Sequence, residues 1–359
     1  MEPRFCEAPS FGVPKPVHVN VRALAAPLTG VQRYVQELVA RLGAALTPVT
    51  PGFSAQGVRG HAWEQMRLPG LVGGALLWSP ANTGPLAVRQ QVVTIHDLAT
   101  LDHPEWYSTR FAGWYRFLLP RLVPRVVRVI AVSEFTKSRL LETCRLRDEQ
   151  VVVVHNGVDR RFRPDAATHA DEALDPLGLR PDAYLLSLCS VEPRKNLARL
   201  LAAWERALPV LPPEVTLVLA GAMGQAHVFG RYSLGRLPSR VRLLGAVPDA
   251  ALPALYASAR AFLYPSLYEG FGMPPLEAMA AGTPTLTSNR SALPEVTGDA
   301  ALHVDPEDVD AMALGIVRLA MDAPLRAELH ARGIRRAGQF TWDRAASAVS
   351  QVLNDAING

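Results

Sequence analysis

Two glutamates, Glu269 and Glu277, flank a short segment whose residue types suit an anion. It runs Tyr264-Pro-Ser-Leu-Tyr-Glu-Gly-Phe-Gly-Met-Pro-Pro-Leu-Glu277. A strand is expected to end at Tyr264, and a helix to start at Pro274-Pro275, because proline's missing N–H costs nothing in a first helical turn. Gly270 and Gly272 leave backbone amides uncovered just ahead of that helix, whose N-terminus carries partial positive charge. Amides and dipole together make a seat for a diphosphate or for sugar oxygens. Glu269 precedes the seat and Glu277 lies about one turn inside the helix, so two carboxylates stand at different depths around it. A plainer reading of the same spacing is a helix whose acidic first turn complements its dipole.

The elements around this segment alternate short β-branched runs with longer helical patterns, which predicts parallel sheets joined by crossover helices. Val17 to Val21 reads as a strand, after which Gly30 opens an amphipathic helix with Val31, Val35, Leu38, Val39 and Leu42 on one face. Gly30 either brings a helix N-terminus to a ligand or makes a tight turn. Further buried strands are expected at Val92 to Ile95, Val127 to Val132 and Val151 to His155. His96-Asp97 directly follows the first of these, at the carboxyl end where such sheets bind ligands. Asn156-Gly157-Val158-Asp159 breaks the pattern and predicts a boundary. A second series follows, with strands at Tyr184 to Cys189, Val215 to Gly221, Val241 to Leu244, Ala261 to Tyr264, Thr285 to Thr287 and Ala301 to Val304. A helix is expected over Leu197 to Ala207, and Asp249 and Asp308 suit helix N-caps. The expected fold is α/β, with two Rossmann-like doubly wound parallel-sheet domains facing a central cleft. Residues 1–158 form the first, joined by a final helix over 342–359, and residues 159–341 form the second.

The chain has 359 residues, 49% of them hydrophobic and 19% charged, enough for two packed cores and against disorder. A net charge of +4 suits an anionic ligand or surface but does not by itself imply nucleic acid. Cys6, Cys144 and Cys189 are odd in number and far apart, which predicts a reducing, cytoplasmic setting without a disulfide framework. The opening MEPRFCEAPSFG holds no apolar signal segment, and the apolar stretches are too short and broken to span a bilayer.

The segment EGFGMPPLEAMAAGTP, with its two glutamates separated by seven residues, resembles the signature of glycosyltransferase family 4, retaining enzymes of the GT-B fold. LTGVQRYVQEL, TIHDLATLDHPEWYS, VIAVSEFTKSRLLE, HNGVD, VEPRKNL and ALPEVTGDAALHVDP resemble further family segments in the family's order, so the similarity covers nearly the whole chain. The resemblance implies that Glu277 binds the donor ribose hydroxyls and that Glu269 holds hydroxyls of the transferred sugar. It places the Phe271, Gly272 and Met273 amides against sugar and diphosphate, and gives Arg194 and Lys195 the diphosphate charge. A guanidinium fork and an ammonium point charge suit a dianionic leaving group without a metal ion or other cofactor. It also implies that His96 contacts the donor sugar and helps orient the reaction centre. Many family members carry glycine and arginine where this chain has Cys189 and Ser190, which leaves the diphosphate to Arg194 and Lys195.

The style of TGVQRY and EPRKN is most similar to mannosyltransferase-like members that build bacterial surface polysaccharides, so GDP-mannose is the first expectation for the donor. The acceptor is expected to be a glycan or lipid-linked. Between Trp106 and Ser133 five arginines interleave with Phe111, Trp114, Tyr115 and Phe117, with no acidic residue. That mixture suits contact with an anionic membrane, or an ordinary crossover helix with solvated arginines; Pro120 and Pro124 are expected to interrupt any long amphipathic face. The final helix near Trp342 and the HNGVD segment are candidates for a hinge that closes over the donor. A nucleotide-sugar epimerase and a non-catalytic two-domain binding protein share the architecture. A dehydrogenase is disfavoured, because no G-x-G-x-x-G turn follows a strand.

Overall fold

Runs such as Gln91–Ile95, Ala261–Tyr264 and Thr285–Ser288 are buried along their whole length, as strands covered on both faces must be. The computed structural model describes residues 17–53, 57–188, 190, 192–221, 228 and 235–359; Cys6, Cys189 and Gly224 lie outside them. The described strands form two six-stranded sheets, all of whose pairs are parallel.

The first sheet contains β1 (Val17–Asn20), β2 (Leu46–Val49), β3 (Leu77–Ser79), β4 (Gln91–Ile95), β5 (Arg128–Ala131) and β6 (Val151–Val153), ordered 2-1-3-4-5-6. The second contains β7 (Tyr184–Leu188), β8 (Thr216–Ala220), β9 (Val241–Gly245), β10 (Ala261–Tyr264), β11 (Thr285–Ser288) and β12 (Leu302–Val304), ordered 12-11-10-7-8-9. Both orders are doubly wound. Winding reverses between β1 and β3 in one sheet and between β7 and β10 in the other, and the carboxyl ends at such a reversal make a ligand crevice.

The chain divides into two compact units. One holds residues 1–98, 116–157 and 342–359, and the other holds 99–115 and 158–341. The sequence reading put 99–115 with the first half; these residues instead group with the second unit. Val158 bridges Thr341, and its N–H donates to the Phe340 carbonyl at 3.0 Å.

In the first unit, helix Gly30–Leu42 buries Tyr34, Val35, Leu38 and Leu42. Tyr34 thus joins the face assigned above to Val31 and Val39, which are only half-buried. The C-terminal helix Trp342–Asn358 packs on this helix and on β4 and β5, with Trp342 1% exposed. In the second unit, helix Leu197–Ala207 buries Leu197, Leu200, Leu201, Trp204 and Ala207 at helical spacing against helix Val309–Met321. Trp204, Leu217 and Ile316 share that core, where truncating the indole to alanine would cost roughly 3–5 kcal/mol.

Several local expectations are corrected. Pro120 does not interrupt its helix: Thr109–Leu122 runs through it, and Pro124 falls in the following 3₁₀ turn Val123–Arg125. Asp308 does cap its helix, accepting from the Asp310 and Ala311 amides. Asp249 does not; Pro248 holds the cap position of a 3₁₀ turn, and the Asp249 carboxylate pairs with Arg161 at 2.6 Å. Among the described residues, no helix is long and apolar enough to cross a membrane.

Candidate active site

β7 and β10 are hydrogen-bonded neighbours at the reversal of the second sheet, and the segments leaving their carboxyl ends carry the charged residues singled out above. After β7, a 3₁₀ turn over Pro193–Lys195 presents Arg194 and Lys195. Asn196 follows with φ 59°, a left-handed conformation that asparagine tolerates better than most residues. Its amide nitrogen donates to the Pro265 carbonyl at 3.1 Å and the Pro306 carbonyl at 2.7 Å, tying the β7 turn to the segments after β10 and β12.

Arg194 Nη1 donates to Glu269 Oε2 at 2.7 Å, and Lys195 Nζ to Glu269 Oε1 at 2.6 Å. Oε1 also accepts from the Tyr264 hydroxyl at 2.9 Å and from Ser266 at 2.8 Å. The Lys195 ammonium donates to Tyr264 as well, and lies 4.9 Å from that ring's centroid. Glu192, 1% exposed, closes the group with Arg194 Nε at 2.7 Å and Lys195 Nζ at 3.8 Å. Two carboxylates and two cations therefore balance in one buried box, which is how buried charge becomes tolerable. Burial pushes the Glu269 carboxyl up, but Arg194, Lys195 and the Lys195 and Ser266 hydrogen bonds outweigh it and hold it at about 2. Burial likewise opposes the Arg194 charge, and Glu269 and Glu192 overcome it, leaving that guanidinium well above its ordinary value.

The loop between Tyr264 and the helix Met273–Ala280 is pinned at successive positions. The Leu267 N–H donates to the Arg194 carbonyl at 2.8 Å, and the Glu269 N–H to Ser291 Oγ at 3.0 Å. Gly272 caps the helix at φ 106°, a conformation that favours glycine, and a Cβ there would meet Leu293 Cδ2 at 2.7 Å, so that side chain would have to shift. Phe271 is buried edge-on against Phe340, at 5.8 Å between centroids, and Met273 starts the helix. Glu277, 6% exposed, accepts from the Tyr256 hydroxyl at 3.1 Å. Arg161 adds positive charge near Glu277. Burial opposes it, and Asp249, Asp159 and Glu277 together raise its pKa.

His96 and Gly30 belong to the first unit. His96 leaves the end of β4 with 8% exposure; its N–H donates to Asn82 Oδ1 at 2.6 Å, and Nε2 lies 2.8 Å from the Pro80 carbonyl. A carbonyl only accepts, so Nε2 carries the proton and Nδ1 keeps its lone pair. Burial lowers the imidazole to about 4, against the Pro80 hydrogen bond, so the ring is neutral near pH 7. Tyr34 packs edge-on to it at 4.7 Å. Gly30 starts its helix exposed and without a positive φ, behind a Thr29–Gln32 capping box in which the Thr29 N–H donates to Gln32 Oε1. Gly30 therefore offers an accessible helix start with no left-handed conformation at its own backbone.

The profile described as "Glycosyl transferases group 1" matches residues 173–336, and that described as "Glycosyltransferase Family 4" matches residues 67–162. The O-antigen chain mannosyltransferase B of Escherichia coli is 33% identical over 276 residues, covering 75% of this chain and 71% of its own. The chain belongs to glycosyltransferase family 4. Solved structures show the fold of this family 4 glycosyltransferase at lower identity. A sucrose-phosphate synthase from Thermosynechococcus elongatus superposes with a TM-score of 0.73 at 20% identity, covering 96% of this chain and 99% of that one. Anabaena HepE, in complex with UDP and glucose, does so at 0.70 and 18% identity over 95% and 99% of the two chains. The fold is GT-B.

Sequence reasoning about the glycosyltransferase missed Glu192, Tyr264 and Ser266, which complete the charge box. Glu192 sits two positions from Arg194, so its adjacency to a predicted phosphate cation was the available signal. A second buried group was also missed. Glu64 lies in helix Gly57–Met66, 0% exposed, and accepts from Asn20 at 2.7 Å and Thr83 at 3.0 Å. Arg22 lies 3.5 Å from it. Burial pushes Glu64 up, yet hydrogen bonding to His61 and the Arg22 charge hold it below its ordinary value.

Proposed function

We propose that this enzyme transfers a hexose, with mannose the first candidate, from a nucleoside diphosphate sugar to a glycan or lipid-linked acceptor in bacterial surface polysaccharide synthesis, with retention of configuration and without a metal ion. The observation that carries the donor assignment is the charge box Glu192–Arg194–Lys195–Glu269 at the reversal of the second sheet, beside the Gly272-capped helix that bears Glu277. Mannose and surface polysaccharide rest on the likeness to the O-antigen chain mannosyltransferase B of E. coli, and a nucleoside diphosphate donor is in keeping with the UDP held by HepE.

In this reading Glu269 is a fixed acceptor. Its Oε1 already receives three donors, whereas Oε2 receives one and keeps room for a sugar hydroxyl beside Arg194. Glu277 accepts from the ribose hydroxyls, with Tyr256 fixing its carboxylate. The Phe271, Gly272 and Met273 backbone lines the start of the helix where the diphosphate sits. Arg194 and Lys195 take up the charge that grows on the diphosphate as the C1–O bond breaks. The acceptor hydroxyl bonds to C1 on the face the diphosphate leaves, and its proton passes to the departing phosphate oxygen. His96 Nδ1 accepts from a sugar hydroxyl, and the Gly30 helix start faces phosphate or acceptor. Such a site works by positioning and electrostatics, with no protein nucleophile. Residues 106–133, with exposed Phe117 stacked under Arg121 at 4.3 Å, supply a peripheral contact for an anionic membrane surface on the cytoplasmic side.

A thermal-shift panel of GDP-mannose, UDP-glucose, ADP-glucose and dTDP-glucose, with and without magnesium, tests the reading. GDP-mannose is expected to raise the melting midpoint without metal, and Glu277→Ala to abolish the rise. No rise with any of the four would overturn the donor site. NMR of the product's anomeric carbon tests retention, and an inverted product would refute it.

A further inference from the structure

We propose that Asp102 is a positioning residue for transfer: by accepting the Tyr268 hydroxyl it holds the loop that presents Glu269. The proposal rests on the donor reading of Glu269 given above. Asp102 ends the short helix Ala99–Asp102, six positions after His96 in the chain, yet it groups with the second unit. There the Tyr268 hydroxyl donates to Asp102 Oδ2 at 2.8 Å, across 166 residues of sequence.

Tyr268 immediately precedes Glu269 and is 5% exposed. The backbone on either side of it is pinned from within 158–341, by the Leu267 bond to Arg194 and the Glu269 bond to Ser291. The Tyr268 side chain reaches instead to the segment 99–115. His103 meets its ring edge-on at 5.6 Å and stacks on Trp106 at 4.0 Å, so the ring is braced as well as hydrogen-bonded. The segment is also anchored through its backbone, from the Ser108 N–H to the Val228 carbonyl at 2.6 Å. A reacting sugar tolerates little displacement of the groups that hold it, and a misplacement of about 1 Å can cost on the order of a hundredfold in rate. Asp102 therefore acts on the reaction through Tyr268.

The test uses the full chain and the release of nucleoside diphosphate from whichever of GDP-mannose, UDP-glucose, ADP-glucose and dTDP-glucose the wild type turns over. Asp102→Ala and Tyr268→Phe are each expected to lower kcat/KM about tenfold, chiefly through kcat, and the double variant to lose no more than either alone, as two ends of one bond should. Asp102→Asn, whose amide oxygen still accepts, is expected to stay within about threefold of wild type. Affinity for the matching nucleoside diphosphate, which lacks the sugar, should change less than about twofold, and the melting midpoint by less than about 2 °C. Losses that multiply in the double variant, full activity in Tyr268→Phe, or equal loss of nucleoside diphosphate affinity would overturn the proposal. Glu269→Gln in the same assay separates the two levels. If it leaves turnover intact, the donor reading itself fails; if it silences the enzyme while Tyr268→Phe keeps full activity, only the role of Asp102 fails.

Discussion

Arg194 and Glu269 share a 2.7 Å hydrogen bond in the buried box at the end of β7, so the cation assigned to the diphosphate already has an anionic partner. On the proposed donor reading, an incoming diphosphate would share the guanidinium with Glu269. Glu269→Gln keeps the shape, removes the charge, and leaves Arg194 and Lys195 with one carboxylate, Glu192, between them. We expect kcat to fall by roughly a hundredfold or more, the scale of losing one preorganised electrostatic contact, in steady-state release of nucleoside diphosphate.

The same carboxyl predicts a pH dependence of stability. Held at about 2 in the fold, against roughly 4.3 in an unfolded chain, Glu269 stabilises fully above the unfolded value. That contribution fades as pH falls from about 4 through about 2. Urea unfolding of wild type and Glu269→Gln should differ most above about pH 5 and converge toward about pH 2. A difference that grows on acidification would contradict the box.

His96 also gives up its proton more readily in the fold, here because burial disfavours the charged ring. Its pKa of about 4 lies below the unfolded value of about 6.5, so it favours the fold above about 6.5 and that contribution is lost as pH falls toward 4. Histidine-selective NMR should therefore show one ring, absent in His96→Asn, still neutral at about pH 5.5 with its proton on Nε2. A midpoint near the ordinary value would mean that the Pro80 carbonyl and the surrounding burial do not hold it as described.

Gly272→Ala should destabilise by roughly 2–4 kcal/mol, combining the strain of φ 106° with the clash against Leu293. Adding Leu293→Ala opens the space and should recover only the clash. A denaturant cycle over the four proteins separates the two contributions. Full recovery would show that backbone conformation is not limiting there.

In the first unit, Glu64→Ala removes the acceptor of Asn20 and Thr83 and the counter-charge of Arg22, at a cost of about 3 kcal/mol measured by urea unfolding. Gln65, its neighbour, holds the Gly84 carbonyl at 2.9 Å and the Leu86 N–H at 3.0 Å. The loop that presents Pro80 and Asn82 to His96 is thus braced by consecutive residues of one helix. Glu64→Ala should lower kcat while leaving affinity for free nucleoside diphosphate unchanged.

The long buried strands and the glutamate loop were legible because their signals are local: unbroken apolar runs, and glycines and prolines at fixed offsets. Leu46–Val49 and Leu77–Ser79 were not read as strands, since LTPV carries a proline and an exposed Thr47, and LWS is three residues long. Both take their conformation from pairing with β1. Glu64 stayed hidden because its helix has no apolar periodicity to mark an inward face, and its partners lie 44 and 19 positions away. The Tyr268–Asp102 pair was invisible for the same reason. Pro120 misled in the other direction: one proline near a helix's last turn leaves the rest of the ladder intact.

The bridge between Val158 and Thr341 has a consequence for how the gene product can be cut. The chain leaves for the second unit and comes back at two backbones that are hydrogen-bonded neighbours, so residues 158–341 form an insert whose ends already touch. Such an insert can be excised and closed into a ring, or reopened at a surface loop, without stretching any strand. The remainder would join through a short linker from Gly157 to Trp342. It would also keep residues 99–115, now deprived of their host surface, and those residues would have to be trimmed or given polar side chains before the remnant stayed in solution.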